Sequence, residues 1–378
     1  MTDAEILDQA IDRGLEGVIA CSTAISTIHG STLLYRGYTI EDLAANASFE
    51  EVIHLLWHGE LPNADELRAL RTELGTALAL PSEMRVWLLG LPKDVHPMDF
   101  LHAVVAGLML HDPDANLLDR PATLHKAARL VARIGGIVGA YEKARHGAWP
   151  LDPDPDRSLA WNFLRGILGE APSPDLERDF DTCLVLHADH ELNASAFSAR
   201  VTASTLSGLY SSVLAAIGTL KGSLHGGANE AVIRMLEEIG SPDRLEAFLD
   251  EALATGAKVM GFGHRVYKEG DPRAKILRTM SERLTRAAGR PELYAMSVRL
   301  EELMGERKGL IPNVDFYSAS VYAAMGIPAP LFTPIFAASR VVGWCAHVLE
   351  QYEGNRIYRP RARYVGPTDR RYVAIDQR

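Results

Sequence analysis

Three short stretches of the chain set ionisable side chains beside breaks in regular structure. His225 sits in L-H-G-G-A-N and His264 in M-G-F-G-H-R-V-Y-K. Each lies next to glycines, which let a ligand approach the backbone closely. The third stretch, I-P-N-V-D-F-Y-S-A-S, holds Asp315, the only charge between Lys308 and Arg340. Burial in so apolar a setting raises a carboxyl pKa and makes a better general base. The same residue also reads as a capping or turn aspartate. Two imidazoles and a carboxylate suit one chemistry. The aspartate removes a proton alpha to a carbonyl, one histidine hydrogen-bonds the enolate, and the other polarises an electrophilic ketone.

Arginines would hold an anionic substrate for that reaction. Arg340 stands alone at the head of an expected apolar helix, and Arg359 lies in R-P-R-A-R. Residues 340–378 carry eight arginines, no lysine and four acidic residues. Arginine outnumbers lysine 31 to 8 along the whole chain, however, so the bias is not confined to the tail. Lys258, Arg265, Lys268, Arg273 and Lys275 cluster around Gly261–Gly263, as suits a phosphorylated ligand or a plain solvated face. No G-x-x-x-x-G-K-[ST] occurs, and Gly261-Phe262-Gly263 lacks the third glycine of a dinucleotide fingerprint. His187 and His190, in L-H-A-D-H-E-L-N-A-S, sit three apart on an expected helix. With no H-E-x-x-H nearby, no metal site is assigned to them.

The elements that must position these residues are helical. Apolar residues recur at three- and four-residue steps over Phe49–Trp57, Ala64–Ala79, Ala122–Ala140, Val201–Leu220, Pro242–Thr255 and Ala337–Gln351. A hairpin is expected in Ala24–Tyr38, turning at His29-Gly30-Ser31. Trp149–Arg157 is a proline-rich acidic loop. Breaks at Gly222–Gly227 and Gly326–Pro330 bracket about a hundred residues, either an inserted domain that hinges or a segment between two ordinary loops. The chain has 378 residues, 47% hydrophobic and 23% charged, which excludes extended disorder. A net charge of −10 disfavours a global grip on nucleic acid or anionic membrane. Three dispersed cysteines, Cys21, Cys183 and Cys345, and an acidic N-terminus without an apolar core point to a reducing, cytoplasmic setting. The uncharged run Val201–Leu220 has spanning length, but its serines, threonines and glycines read as a buried helix at a crowded contact.

Five ordered blocks carry a family resemblance: L-H-A-D-H-E-L-N-A-S (186–195), L-K-G-S-L-H-G-G-A-N-E-A (220–231), M-G-F-G-H-R-V-Y-K-E-G-D-P-R (260–273), P-N-V-D-F-Y-S (312–318) and F-T-P-I-F-A-A-S-R-V-V-G-W (332–344). With them the chain resembles the citrate synthases of the short bacterial and archaeal dimeric type, from Arg13 to Pro367. No catalytic-motif residue departs from the family pattern.

The resemblance implies an all-α fold with a minor N-terminal hairpin. Residues 1–225 and 328–378 would form a large helical domain and 226–327 a small mobile one that closes over oxaloacetate. It implies His225, His264 and Asp315 as the catalytic trio. His190, Arg273, Arg340 and Arg359, with the two catalytic histidines, would contact oxaloacetate, Arg359 reaching the partner subunit's site. Met260, Gly261, Phe262, Gly263 and Asn313 match the coenzyme A pocket; Arg265, Lys268 and Lys308 are our own additions for the coenzyme's phosphates. The coenzyme A thioester is a co-substrate, and no cofactor or metal is expected. The first shared block starts at Arg13, without the long extension of hexameric, NADH-regulated relatives, so a homodimer is expected. Citrate synthase and 2-methylcitrate synthase share these motifs, and one methylene in a pocket is worth only ~1–3 kcal/mol. A non-catalytic helical binding protein would leave Asp315 and both glycine-flanked histidines without purpose.

Overall fold

The structure is a computed structural model and describes residues 13–263, 267 and 270–378. His264, Arg265 and Lys268 lie outside the described residues. Near the N-terminus, β1 (Ser26–His29) and β2 (Thr32–Tyr35) form an antiparallel pair in which Ser26 faces Tyr35 and His29 faces Thr32. A second tight turn at Arg36–Gly37 adds β3 (Tyr38–Thr39). Alternation buries Leu33 and Tyr35 on one face, as a half-covered sheet requires.

Sixteen α-helices follow among the described residues. The first seven are α1 (Ile40–Asn46), α2 (Phe49–His58), α3 (Ala64–Ala77), α4 (Ser82–Gly90), α5 (Pro97–Leu108), α6 (Arg120–Arg145) and α7 (Leu159–Leu168). They begin on side-chain caps wherever the sequence offers one: Thr39, Ser48, Asn63, His96, Asp119 and Ser158 all accept from first-turn amides. The Trp149–Arg157 stretch is the loop between α6 and α7. Then come α8 (Pro174–His187), α9 (Ala194–Ser204) and α10 (Leu209–Leu220).

The helix expected over Val201–Leu220 is therefore two. Leu206 and Gly208 adopt φ values of 62° and 93°, left-handed geometry that ends α9 and turns the chain back as α10. Leu206 is 51% exposed and leaves the apolar stripe assigned to it. The crowded contact expected of this run is real, because α9 and α10 pack on each other.

Five helices lie between the two glycine breaks: α11 (Ala228–Ile239), α12 (Leu245–Thr255, entered through a 3-10 turn at Pro242–Arg244), α13 (Pro272–Ala287), α14 (Pro291–Lys308) and α15 (Val314–Ala324). Among them α15 is central, touching α11, α13 and α14. The last helix, α16 (Phe332–Glu353), starts five residues earlier than its periodicity suggested. It is the axis of the fold, packing on α2, α5, α6, α8, α9, α10 and α11. By length and hydropathy the segment Ala329–Glu353 passes for a membrane span, yet its most apolar window is wholly buried inside the protein. The buried apolar residues form one continuous core around it.

Candidate active site

Four elements meet where α16 passes the end of α8. That crossing is close: a Cβ on Gly343 would sit 2.5 Å from the Ala188 carbonyl oxygen, so only glycine fits. His187 is the last residue of α8, and His190 lies beyond it in the turn before α9. The two histidines thus share no helix face, contrary to the sequence expectation. Ala188 and Asp189 leave the helix because Tyr35 competes for the backbone, its hydroxyl donating to Asp189 O (2.7 Å) and accepting from Asp189 N (3.0 Å). Ser26 donates to the Asp189 carboxylate and accepts from Glu191 N. The hairpin therefore grips the turn on either side of His190. Buried His187 donates from Nδ1 to Cys183 O at 2.8 Å, and burial drives its pKa down to about 3.

His225 occupies the turn from α10 to α11. Its own amide bonds to Gly222 O, while Thr333 of α16 donates to Gly226 O. The imidazole Nε2 lies 2.8 Å from Ser195 Oγ. Burial, helped by Arg340, lowers the His225 pKa to about 4, so the ring is neutral at pH 7.

Asp315 sits in the first turn of α15, capped by Asn313, whose Oδ1 accepts from Asp315 N. Residues 261–263 run antiparallel to 311–313 and hold that cap. Asn313 N donates to Gly261 O, Gly263 N to Ile311 O, and Asn313 Nδ2 to Gly263 O. The segment leading into His264 is thus fixed beside Asp315. The Asp315 carboxyl is buried, and Oδ1 has no hydrogen-bond partner among the described residues. Burial raises its pKa to about 7, with Arg273 and Arg340 pulling the other way. A carboxyl so placed is half ionised at neutral pH and lacks competing donors, as a general base requires.

Two buried guanidiniums act on this carboxyl electrostatically. Arg273, at the start of α13, is clamped by Asp271 through Nε (3.0 Å) and Nη2 (2.8 Å), and that carboxylate holds its pKa up. Arg340 is 1% exposed and has no ion pair among the described residues. Its Nε donates to His187 O at 2.7 Å, and its guanidinium lies 4.6 Å from the Phe336 ring centre. Desolvation lowers its pKa to about 10, still charged at pH 7. It lies mid-helix in α16 rather than at its head. A buried cation without a partner destabilises the empty protein and favours an anionic ligand. His190 Nε2 is 3.2 Å from the hydroxyl of Tyr267, which lies in the field of Arg273 and Asp271.

His225 and Asp315 also line one cleft of about 510 Å³. Its other walls include Met260, Gly261, Phe262, Asn313 and Lys308, five of the eight residues expected at the coenzyme, with Lys258. Gly263 is not among its lining residues; it pairs with Ile311 and Asn313 behind that wall. Such a cleft, lined by apolar side chains together with His225, Asn313, Asp315, Lys258 and Lys308, suits a long phosphorylated thioester.

A family model described as "Citrate synthase, C-terminal domain" matches residues 14–361. The chain belongs to the citrate synthase family. It is 50% identical over 367 residues to citrate synthase 2 of Bacillus subtilis (strain 168), covering 97% of this chain and 99% of that protein. It is also 42% identical over 381 residues to 2-methylcitrate synthase of Shewanella oneidensis, covering the whole of both. Among solved structures, the complex of carboxymethyl coenzyme A and oxaloacetate with citrate synthase from Thermoplasma acidophilum superposes with a TM-score of 0.90. That match is 35% identical and covers 97% of this chain and 99% of the other. The all-α expectation drawn from the family is met.

The structure brings His190, His225, Arg273, Arg340 and Asp315 together. It leaves Arg359 apart, in the exposed segment after α16. Sequence reasoning missed Tyr35, Ser195, Tyr267, Asp271 and Trp344, although four of them stand in or beside the quoted blocks. Asp271, two residues before an arginine at a helix start, is a readable cap and ion-pair partner. Tyr35 gave no signal, since nothing in a hairpin forecasts which distant turn it grips.

Proposed function

We propose that the protein condenses acetyl-CoA with oxaloacetate and hydrolyses the resulting citryl-CoA to citrate and CoA, as in the tricarboxylic acid cycle. The observation that carries this is Asp315, a buried carboxyl with one oxygen unpartnered among the described residues, on one cleft with neutral His225 and near two buried arginines. Asp315 takes a proton from the thioester methyl group. His225 donates a hydrogen bond to the thioester oxygen as it becomes an enolate. The nucleophilic carbon attacks the oxaloacetate ketone, which His264 polarises, a role carried over from the matching motif. Arg273, Arg340 and His190 bind the dicarboxylate. Met260–Gly263 and Asn313 border the pantetheine, and Lys308, Arg265 and Lys268 serve the phosphates. Water then cleaves the thioester.

The test is thiol release on mixing the protein with oxaloacetate and acetyl-CoA. Absence of release removes the proposal. The Shewanella relative makes propionyl-CoA the second acyl donor to assay, and preference for it assigns 2-methylcitrate synthesis instead.

Residues 1–225 with 328–378 and residues 226–327 act as two bodies in this reading, hinging at the turns before α11 and after α15. Oxaloacetate binds first and draws them together over the buried arginines. Small-angle scattering then shows compaction with oxaloacetate alone; identical profiles reject the hinge. The active unit is a homodimer, a reading supported by the tail after α16, where Val365, Tyr372 and Ile375 are 89%, 84% and 77% exposed. Arg359 of that tail reaches the partner's site. Mixing Arg359→Ala with Asp315→Ala subunits restores activity if sites are shared, and none returns after verified exchange if they are not. Three free cysteines fit a cytoplasmic location.

A further inference from the structure

We infer that His347 is a positioning residue for oxaloacetate: its ring N–H, imposed by Arg200, draws the Asp189 carboxylate off Arg340. This rests on the condensation proposed above. Three consecutive residues at the end of α8 run along one face of α16. Arg340 Nε donates to His187 O, Gly343 N donates to Ala188 O at 3.1 Å, and His347 Nε2 lies 3.4 Å from Asp189 Oδ1. Arg340, Gly343 and His347 are spaced three and four apart, which puts them on that face. Glycine at 343 makes the room, because a Cβ there would sit 2.3 Å from Asp189 Oδ1. The carboxylate thus rests on the helix backbone between a guanidinium and an imidazole.

The proton on that imidazole is fixed by its other neighbour. His347 is fully buried, and its Nδ1 lies 3.1 Å from Nη1 of Arg200 on α9. A guanidinium has only donors, so Nδ1 accepts and the ring carries its proton on Nε2. A second ring proton, on Nδ1, would point straight at a cation. Arg200 is itself held in place at 3% exposure. Its Nη1 also meets Glu350 at 2.5 Å, and its Nε donates to Gln351 at 3.2 Å. Nη1 has two hydrogens, one for Glu350 and one for His347.

The Nε2–H is therefore turned towards Asp189 Oδ1. At 3.4 Å the contact is longer than an ordinary hydrogen bond, so its pull is that of an N–H dipole on a charge. Neither atom has a hydrogen-bond partner among the described residues. Asp189 Oδ2 takes the Ser26 hydroxyl. Both carboxylate oxygens thus have a proton directed at them from a group other than Arg340. Asp189 is still the charge that does most to offset the desolvation of Arg340. Without the His347 N–H, Oδ1 would turn its charge on that guanidinium, and a neutralised guanidinium attracts a substrate carboxylate less.

The test uses the full-length enzyme, with oxaloacetate Kd read by calorimetry and kcat by thiol release. His347→Leu should raise the oxaloacetate Kd about 3–10-fold, the worth of one hydrogen bond, with kcat and the acetyl-CoA KM within about 2-fold. His347→Gln, whose amide can accept from Arg200 and donate to Asp189, should bind oxaloacetate as the wild type does. In an Asp189→Asn background His347→Leu should add nothing, since no charge is left to redirect. The inference is overturned by an unchanged Kd in His347→Leu, by an equal loss in His347→Gln, or by an equal loss in the Asp189→Asn background. If His347→Leu does not fold, His347→Phe keeps a ring without the N–H and is read in the same way. A wild type that binds oxaloacetate but releases no thiol fails the proposed reaction alone. One that binds no oxaloacetate fails both.

Discussion

Replacing Asp315 with asparagine separates the cost of burying a base from its use. The Asp315 pKa is raised from 3.8 to about 7. Three units at ~1.36 kcal/mol each amount to about 4 kcal/mol held against the fold when the carboxylate is ionised. The sign follows from proton binding. Between about pH 4 and pH 7 the native state holds a proton that the unfolded chain has released, so stability falls as pH rises across that window. Above pH 7 the whole penalty is present, and below pH 4 it is gone. Asp315→Asn cannot ionise and escapes it. With an unfolding entropy of ~2.1 cal/mol/K per residue over 378 residues, or ~0.8 kcal/mol/K, the variant should melt about 5 °C higher at pH 8. The gap should close towards pH 4. Thermal scans of both proteins across that range measure it, and turnover of the same variant should fall by about 10²–10⁴. A gap that does not change with pH would refute the account of Asp315 as a desolvated carboxyl. Near-normal turnover would remove its role as base.

Three other expectations follow from the same geometry. Arg340→Met should abolish the rise in melting temperature that oxaloacetate gives the wild type, without lowering the melting temperature of the empty enzyme; scanning with and without oxaloacetate reads both. Charge reversal of the cleft lysines, Lys258→Glu with Lys308→Glu, should raise the acetyl-CoA KM by about 10-fold and leave the oxaloacetate KM alone, an effect that shrinks with added salt in steady-state assays. With oxaloacetate saturating, the acid limb of kcat/KM for acetyl-CoA should fall at pH 7 or above, where Asp315 takes up a proton, and not near pH 4, where His225 does.

Legibility in the sequence followed the range of the interactions. Helical spacing placed α2, α3 and α6 to within a few residues because a half-buried helix repeats its apolar face locally. It failed at 205–208, where two left-handed residues break a run whose hydropathy is continuous. It failed again at His190, because the force that ends α8 is a hydroxyl from Tyr35, more than 150 residues away in sequence. Asp315 was readable from the sequence as a lone charge in an apolar stretch, since burial of that stretch follows from its composition. The pairing of 261–263 with 311–313 was not, as two short glycine- and proline-bearing segments carry no periodic signal.

The charges at the site also explain why so much of the molecule is spent holding it. Arg273 has Asp271 as a bidentate partner and stays put without substrate. Arg340 has no such partner among the described residues and is held by one carbonyl and the face of Phe336. Asp189, its main compensating charge, is itself hydrogen-bonded by Ser26, and His347 Nε2 lies 3.4 Å from its other oxygen. A dicarboxylate arriving here therefore meets one guanidinium already neutralised and one that is not. The unpaired one supplies the larger change in free energy, because its desolvation has been met during folding and not at binding. Both arginines also hold the Asp315 pKa down. A bound dianion that neutralises them makes Asp315 more basic, so occupying the first substrate site strengthens the base that acts on the second substrate.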